Sequence, residues 1–187
     1  MKYLFLIIAF LIAFIVTIKI IKPSFIFPIS QQSYLSDLIV KNFAKRMKQE
    51  RDLNLEAIGG SVYNGIRKFT LGFRREGIPL NKEESKKLII EITEEFINEV
   101  NRNEMIRPYL IDYPISNINV SMSIFNYDFD GNFIHAPFVS SIAADNNKIV
   151  YFFKGNKSLY DYKNEHEKYD EALKKFKEEY KNKRIHL

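Results

Sequence analysis

Apolar residues fill the first part of the chain almost without interruption. Between positions 3 and 21 only Thr17 and Lys19 are polar. As an α-helix, a stretch of this length would measure about 28 Å at ~1.5 Å per residue, close to the ~30 Å hydrocarbon core of a bilayer. The pattern predicts a transmembrane signal-anchor helix in residues 1–22, with residues 3–21 in the lipid bilayer, and a juxtamembrane linker in residues 23–32.

A cleaved secretory signal peptide is the alternative interpretation of the same segment, because signal peptides also place a short basic stretch before an apolar run. Signal peptidase needs small residues at positions −3 and −1 of the cleavage site. The candidate sites after Ser24 and Ser30 have Lys22 and Pro28 at position −3. These poor sites favour an uncleaved anchor. The flanking lysines are balanced, but leaders of this kind deliver the following domain across the membrane, so we expect it on the exported side.

Beyond the linker, apolar residues at helical spacing predict three amphipathic helices. The first begins at Ser33 and ends before Gly59, and the second follows Asn81, a residue able to cap it. The third begins near Asp161, and its apolar stripe consists of Tyr162, His166, Tyr169, Leu173, Phe176 and Tyr180. We expect this last helix to pack on the sheet of the same domain, with Leu173 and Phe176 buried.

Alternating apolar and polar residues predict the strands of the sheet. Two such runs lie in residues 68–75 and 118–127. Two further strands are predicted in residues 133–143, where Pro137 weakens the pattern, and in residues 149–153, which are rich in β-branched and aromatic residues. Short turns join the last three, which is typical of an antiparallel meander. The predicted fold class is therefore α+β: a transmembrane helix, then a single domain in residues 33–187 with a four-stranded, mainly antiparallel sheet covered by about three helices.

Charge and composition exclude several classes of function. The chain contains 28 Lys and Arg residues, 23 Asp and Glu residues and no Cys, which excludes disulfides, zinc–thiolate sites and a Cys nucleophile. Three of the basic residues, Lys2, Lys19 and Lys22, lie before position 30, where there is no acidic residue. The rest of the chain is thus almost neutral, without the excess of basic residues that nucleic-acid binding requires. We predict no nucleic-acid partner.

Three short patterns resemble known sites only in part. Gly60 and Gly65 have the glycine spacing of a phosphate-binding loop, but the Lys and the Ser or Thr that should follow are missing. Residues 128–132 begin like a calcium loop, yet they lack its glycine at position six and its closing acid, and they favour a hairpin turn instead. His166 has Asp170 rather than a second His four residues later. No catalytic motif is found, so we predict no catalytic residue, metal or cofactor.

The connector between the second helix and the next strand is the best candidate for a binding site. It combines two prolines with Arg107, Tyr109 and Tyr113, residue types that are enriched at binding hot spots. A possible protein partner would bind these three residues; alternatively, the mainly apolar connector covers the core. The resulting hypothesis is a single-pass, membrane-anchored domain that binds another protein or an envelope component without catalysis. The alternative is a secreted enzyme or effector whose leader is cleaved near residue 30.

Overall fold

The computed structural model describes residues 30–156, 158 and 161–185. The chain divides into two units, Met1–Gln31 and Gln32–Leu187. The predicted anchor, and all but the end of the predicted linker, lie outside the described residues. Within the part of the chain that is described, no helix is long and apolar enough to cross a membrane.

The described residues form three α-helices and six β-strands. They follow one another as α1 (Gln31–Arg51), β1 (Leu53–Ser61), β2 (Lys68–Glu76), α2 (Lys82–Arg102), β3 (Val120–Tyr127), β4 (Ser141–Asp145), β5 (Lys148–Lys154), β6 (Tyr162–Lys168) and α3 (Tyr169–Ile185), with a short 3-10 helix at Arg107–Tyr109. The six strands form one sheet in the order β1-β2-β3-β4-β5-β6. Neighbouring strands are antiparallel except β2 and β3, which are parallel and are joined by α2.

The predicted fold class is therefore right about the α+β composition and wrong in its details. The sheet is mixed and has six strands rather than four, and no membrane-spanning helix is found among the described residues. The strand predicted in residues 133–143 is confined to β4, because Pro137 cannot donate a ladder hydrogen bond and the chain before Ser141 forms a loop.

Strand β1 replaces the end of the first predicted helix. Helix α1 ends at Arg51 because Asp52 adopts a left-handed backbone conformation with φ of 52°, which aspartate tolerates better than most residues. Only Leu53 and Leu55 of β1 contact the core, and the residues after them are exposed. The strand consequently lacks the apolar alternation that would reveal it in the sequence.

Strand β6 replaces the start of the third predicted helix. Its more buried residues, Glu165 and Glu167, are charged rather than apolar. Glu165 accepts a hydrogen bond from Lys82 Nζ at 2.7 Å, and Glu167 lies 3.7 Å from Lys86 Nζ. Ion pairs with α2 therefore take the place of apolar contacts. The helical spacing of Tyr162 and His166 with the residues of α3 is coincidental, and the prediction of a helix at these two positions is wrong.

One face of the sheet carries the core, and the centre of that core is aromatic. Phe43 of α1, Phe96 of α2 and Phe69 of β2 are almost fully buried. The Phe96 ring meets those of Phe43 and Phe69 edge to face, with centroid distances of 5.0 and 5.3 Å. A layer of helices thus packs on this face, and the intervening residues of the central strands point to the opposite face, where most are only half-buried.

Helix α3 packs on the same core, but not with the residues that were predicted to be buried. Tyr169 is almost fully buried, and its hydroxyl donates a hydrogen bond to Glu94 at 3.2 Å. Leu173 and Phe176 contact the core but are only partly buried. The first turn of α3 therefore provides most of its burial, and the expectation for Leu173 and Phe176 is wrong.

Helix α2 begins with a reciprocal cap that the sequence predicted in part. The Asn81 side chain accepts a hydrogen bond from the Glu84 backbone N–H at 3.0 Å, and the Glu84 carboxylate accepts one from the Asn81 N–H at 2.9 Å. We expect Asn81→Ala to lower the free energy of unfolding by about 1 kcal/mol, and Asn81→Gly by only roughly a few tenths. Urea denaturation of the two variants measures both values. Equal losses in the two variants would contradict a capping role.

Candidate functional site

The start of α1, the β1–β2 turn and the connector meet at one end of the sheet. The Gln32 side chain donates a hydrogen bond to the Val62 carbonyl at 2.8 Å. The Ile66 N–H donates to the Tyr109 carbonyl at 2.6 Å, and the Ile111 N–H donates to the Ile66 carbonyl. We call this region the hairpin end: residues 61–67, residues 103–119 and the first turn of α1.

The hairpin end brings together two of the three residues predicted to bind a partner. The Arg107 guanidinium lies 4.9 Å from the centre of the Tyr113 ring. Both side chains are exposed, and both donate long hydrogen bonds to the Asn101 carbonyl, at 3.5 and 3.4 Å. Tyr109 instead packs against the core. The connector therefore both covers the core, through Tyr109, and presents an exposed pair, Arg107 and Tyr113.

A second group of binding-type residues lies at the opposite end of the sheet. This loop end consists of residues 77–81 and 128–140. The Arg74 guanidinium lies 4.0 Å from the centre of the Tyr127 ring, and the Tyr127 and Phe133 rings are 4.7 Å apart. Lys154 Nζ lies 4.5 Å from the centre of the Phe133 ring. We call these four side chains the aromatic–cation stack.

The two cations of the stack differ in their charge partners. Arg74 donates a hydrogen bond to Glu76 at 2.7 Å and lies 3.6 Å from Glu56, and its hydrogen bond to Glu76 raises the pKa of its guanidinium. Among the side chains that the structure describes, no carboxylate lies within ion-pair distance of Lys154. The charge of Arg74 is thus already balanced, whereas that of Lys154 can accept a carboxylate from another molecule.

Large apolar side chains surround the stack on the loop end. Ile78, Phe129 and Phe138 are exposed, and Tyr162 is an exposed neighbour of Lys154 across the β5–β6 ladder. The stack could not be predicted from the sequence, because its members come from β2, β3, a loop and β5. The only local signal was the density of aromatic residues between positions 125 and 138.

The titratable pair Tyr151 and Glu167 joins the buried side of β5 to β6 and contributes to the fold. The buried Tyr151 hydroxyl donates a hydrogen bond to Glu167 at 2.5 Å. Burial, together with this bond to a carboxylate, raises the pKa of Tyr151 well above its ordinary value. The Tyr151 hydroxyl therefore remains protonated and bonded within the protein. Because its side chain is inaccessible, the pair provides no site for a substrate.

Two of the three partial motifs of the sequence have structural roles in the described residues. A Cβ on Gly60 would lie 2.5 Å from the Lys68 carbonyl oxygen, so this glycine allows the two strands of the hairpin to approach. Asp128 accepts hydrogen bonds from the backbone of Asp130 and Asn132, and these bonds lower the pKa of its carboxyl group. His166 lies exposed on β6. No cluster of His, Asp and Glu suited to a metal ion occurs among the described residues.

Comparisons with known proteins add no relative from which a function could be transferred. No protein-family model matches the chain, and no curated protein or solved structure matches it either. The features that indicate a function are therefore those at the two ends of the sheet.

Proposed function

We propose that this protein is a membrane-anchored domain that binds another protein through the aromatic–cation stack. The observation that supports this function is a pair of half-exposed, neighbouring rings, Tyr127 and Phe133, with a cation on the outer side of each ring at the loop end. Aromatic residues and arginine contribute most of the energy at protein interfaces, because they combine a large apolar area with polar groups that orient it.

The contacts of the stack indicate the chemistry of the partner. Phe133 is 37% exposed and Phe129 is 77% exposed, so each ring offers area that an apolar or aromatic side chain of the partner can bury. Lys154 lies at the edge of this area with its charge unbalanced among the described side chains. A partner segment that places an aromatic or aliphatic residue next to a carboxylate would satisfy both features.

Photo-crosslinking of the full chain in its native membrane tests this surface. With a benzophenone amino acid in place of Phe129, we expect an adduct of discrete mass. Adding Phe133→Ala should remove most of it, because the loss of a hot-spot side chain costs about 2 kcal/mol, or roughly thirtyfold in affinity. Lys154→Gln should weaken the adduct further without disturbing the core.

The matched control carries the benzophenone at Lys41, which is exposed near the middle of α1, a helix that contributes no residue to the loop end. We expect no adduct there. Equal adducts at both positions would indicate random collision. An adduct at position 129 that is unaffected by Phe133→Ala and Lys154→Gln would contradict the proposed surface.

The anchor is a second part of the same proposal, and it is supported by the apolar sequence of residues 3–21. We propose that this segment holds the domain at the membrane, on its exported side. The full chain should then stay in the membrane fraction after alkaline carbonate washing and should retain its complete mass. A soluble chain that begins at Gln31 would instead support the alternative, a secreted effector with a cleaved leader.

A further inference from the structure

We infer that the hairpin end is a lipid-contacting surface, and that Tyr63 and the exposed Arg107–Tyr113 pair lie in the headgroup region of the bilayer. This inference rests on the proposed anchor. Arg107 and Tyr113, which the sequence suggested as a binding site for a protein, would then contact the membrane instead.

The first observation is the place where the chain enters the domain. Helix α1 begins at Gln31, and the next residue, Gln32, is bonded to Val62 in the β1–β2 turn. The chain that leads from the apolar segment thus joins the domain at the hairpin end. The ten positions between Ile21 and Gln32 can span at most about 35 Å when fully extended.

The second observation is the type of residue that the hairpin end exposes. Tyr63 at the tip of the β1–β2 turn is 84% exposed, and the turn lies against the connector, where a Cβ on Gly65 would be 2.8 Å from the Ile111 side chain. Other large apolar side chains at this end are also exposed: Tyr34, Met105, Ile111, Tyr113 and Ile118. Tyrosine is the residue type that prefers the membrane interface, where its ring is shielded and its hydroxyl is hydrated.

The Arg107–Tyr113 pair fits the same environment. Its guanidinium lies on the tyrosine ring, and its hydrogen bonds within the protein are long, at 3.4 to 3.5 Å. These donors can therefore turn to lipid phosphates, which arginine binds well. A short tether holds a surface at an effective concentration in the ~mM range, so weak contacts of this kind suffice to orient the domain.

The lack of tryptophan in the chain allows a direct test. The full chain with Tyr63→Trp is inserted into phosphatidylcholine vesicles whose acyl chains are brominated near the glycerol. We expect the fluorescence of this tryptophan to be much weaker in the brominated vesicles than in vesicles without bromine. In the vesicles without bromine, its emission maximum should lie to the blue of that of a tryptophan exposed to water. The matched control is Phe129→Trp at the loop end, which replaces a side chain of similar exposure, 77% against 84% for Tyr63. We expect no effect of bromine there.

Carbonate extraction of the same vesicles separates the two proposals. If the chain resists extraction and the signal of Tyr63→Trp is unaffected by bromine, the lipid-contacting surface is wrong while the anchor stands. Equal quenching at both positions would also overturn the inference, since the domain would have no preferred orientation. If carbonate removes the chain, the anchor fails, and the inference fails with it.

Discussion

Replacing Phe96 with alanine should lower the free energy of unfolding by about 3 to 5 kcal/mol. Phe96 is fully buried, and its ring lies between those of Phe43 and Phe69, so its removal leaves a cavity where α1, α2 and β2 meet. A loss of this size is a large part of the ~5 to 15 kcal/mol that stabilises an ordinary domain. Urea denaturation of the full chain in a mild detergent measures the effect.

Phe176→Ala on α3 is the matched control for this prediction. Phe176 is only partly buried, so its truncation should leave no closed cavity and should cost about 1 kcal/mol, a fraction of the roughly 1.5 to 3 kcal/mol gained by burying a whole side chain. If Phe96→Ala does not fold, Phe96→Leu keeps the measurement possible, with an expected loss of about 1 to 2 kcal/mol. Losses of equal size at positions 96 and 176 would show that the core is not centred on the three rings.

The sequence predicted those helices and strands whose buried residues are apolar and regularly spaced. Helix α2 has a cap, acidic residues in its first turn and a regular apolar face, and the prediction for it is confirmed. Strand β2 is confirmed for the same reason, because Phe69, Leu71 and Phe73 alternate with more polar residues. In these elements local preference and tertiary packing require the same pattern.

The two edge strands could not be predicted, because their stabilising contacts are made by other parts of the chain. Strand β1 has few core residues, and it is held mainly by its ladder with β2. The half-buried side of β6 consists of glutamates, and these look like solvent-exposed charges until Lys82 and Lys86 of α2 are placed beside them. Periodicity reports neither ladder pairing nor ion pairing.

The candidate surfaces, too, could be predicted only where their residues are close together in the sequence. Arg107 and Tyr113 could be selected from the sequence because they lie six positions apart in one unusual segment. The packing of Tyr109 against the core could not be predicted in this way. The aromatic–cation stack joins residues 74 and 154, which are distant in sequence, and only the register of the sheet brings them to one end. Sites assembled across strands leave no local pattern.

Stability should fall steeply above pH ~10 because of two buried tyrosines. Burial and the hydrogen bond to Glu167 raise the pKa of Tyr151, and burial and the nearby Glu94 raise the pKa of Tyr169. A tyrosine whose pKa is higher in the folded protein than in the unfolded chain contributes its full stabilisation at pH values below the unfolded pKa of about 10. Above this pH the unfolded chain ionises first, so this contribution to the free energy of unfolding is lost as the pH rises toward the pKa of the folded protein. The loss at pH 11 should be about 1.4 kcal/mol for each tyrosine, since the unfolded chain can ionise and the folded chain cannot.

Urea denaturation at pH 9 and pH 11 measures this loss, and the double variant Tyr151→Phe, Tyr169→Phe is its control. Lysines titrate in the same range, but they do so equally in the variant, so the difference between the two proteins isolates the tyrosines. We expect the variant to lose less stability than the natural chain over this interval, by about 2.8 kcal/mol. Identical losses would mean that the two hydroxyls ionise as easily in the folded state as in the unfolded one, which their carboxylate partners at 2.5 and 3.2 Å should prevent.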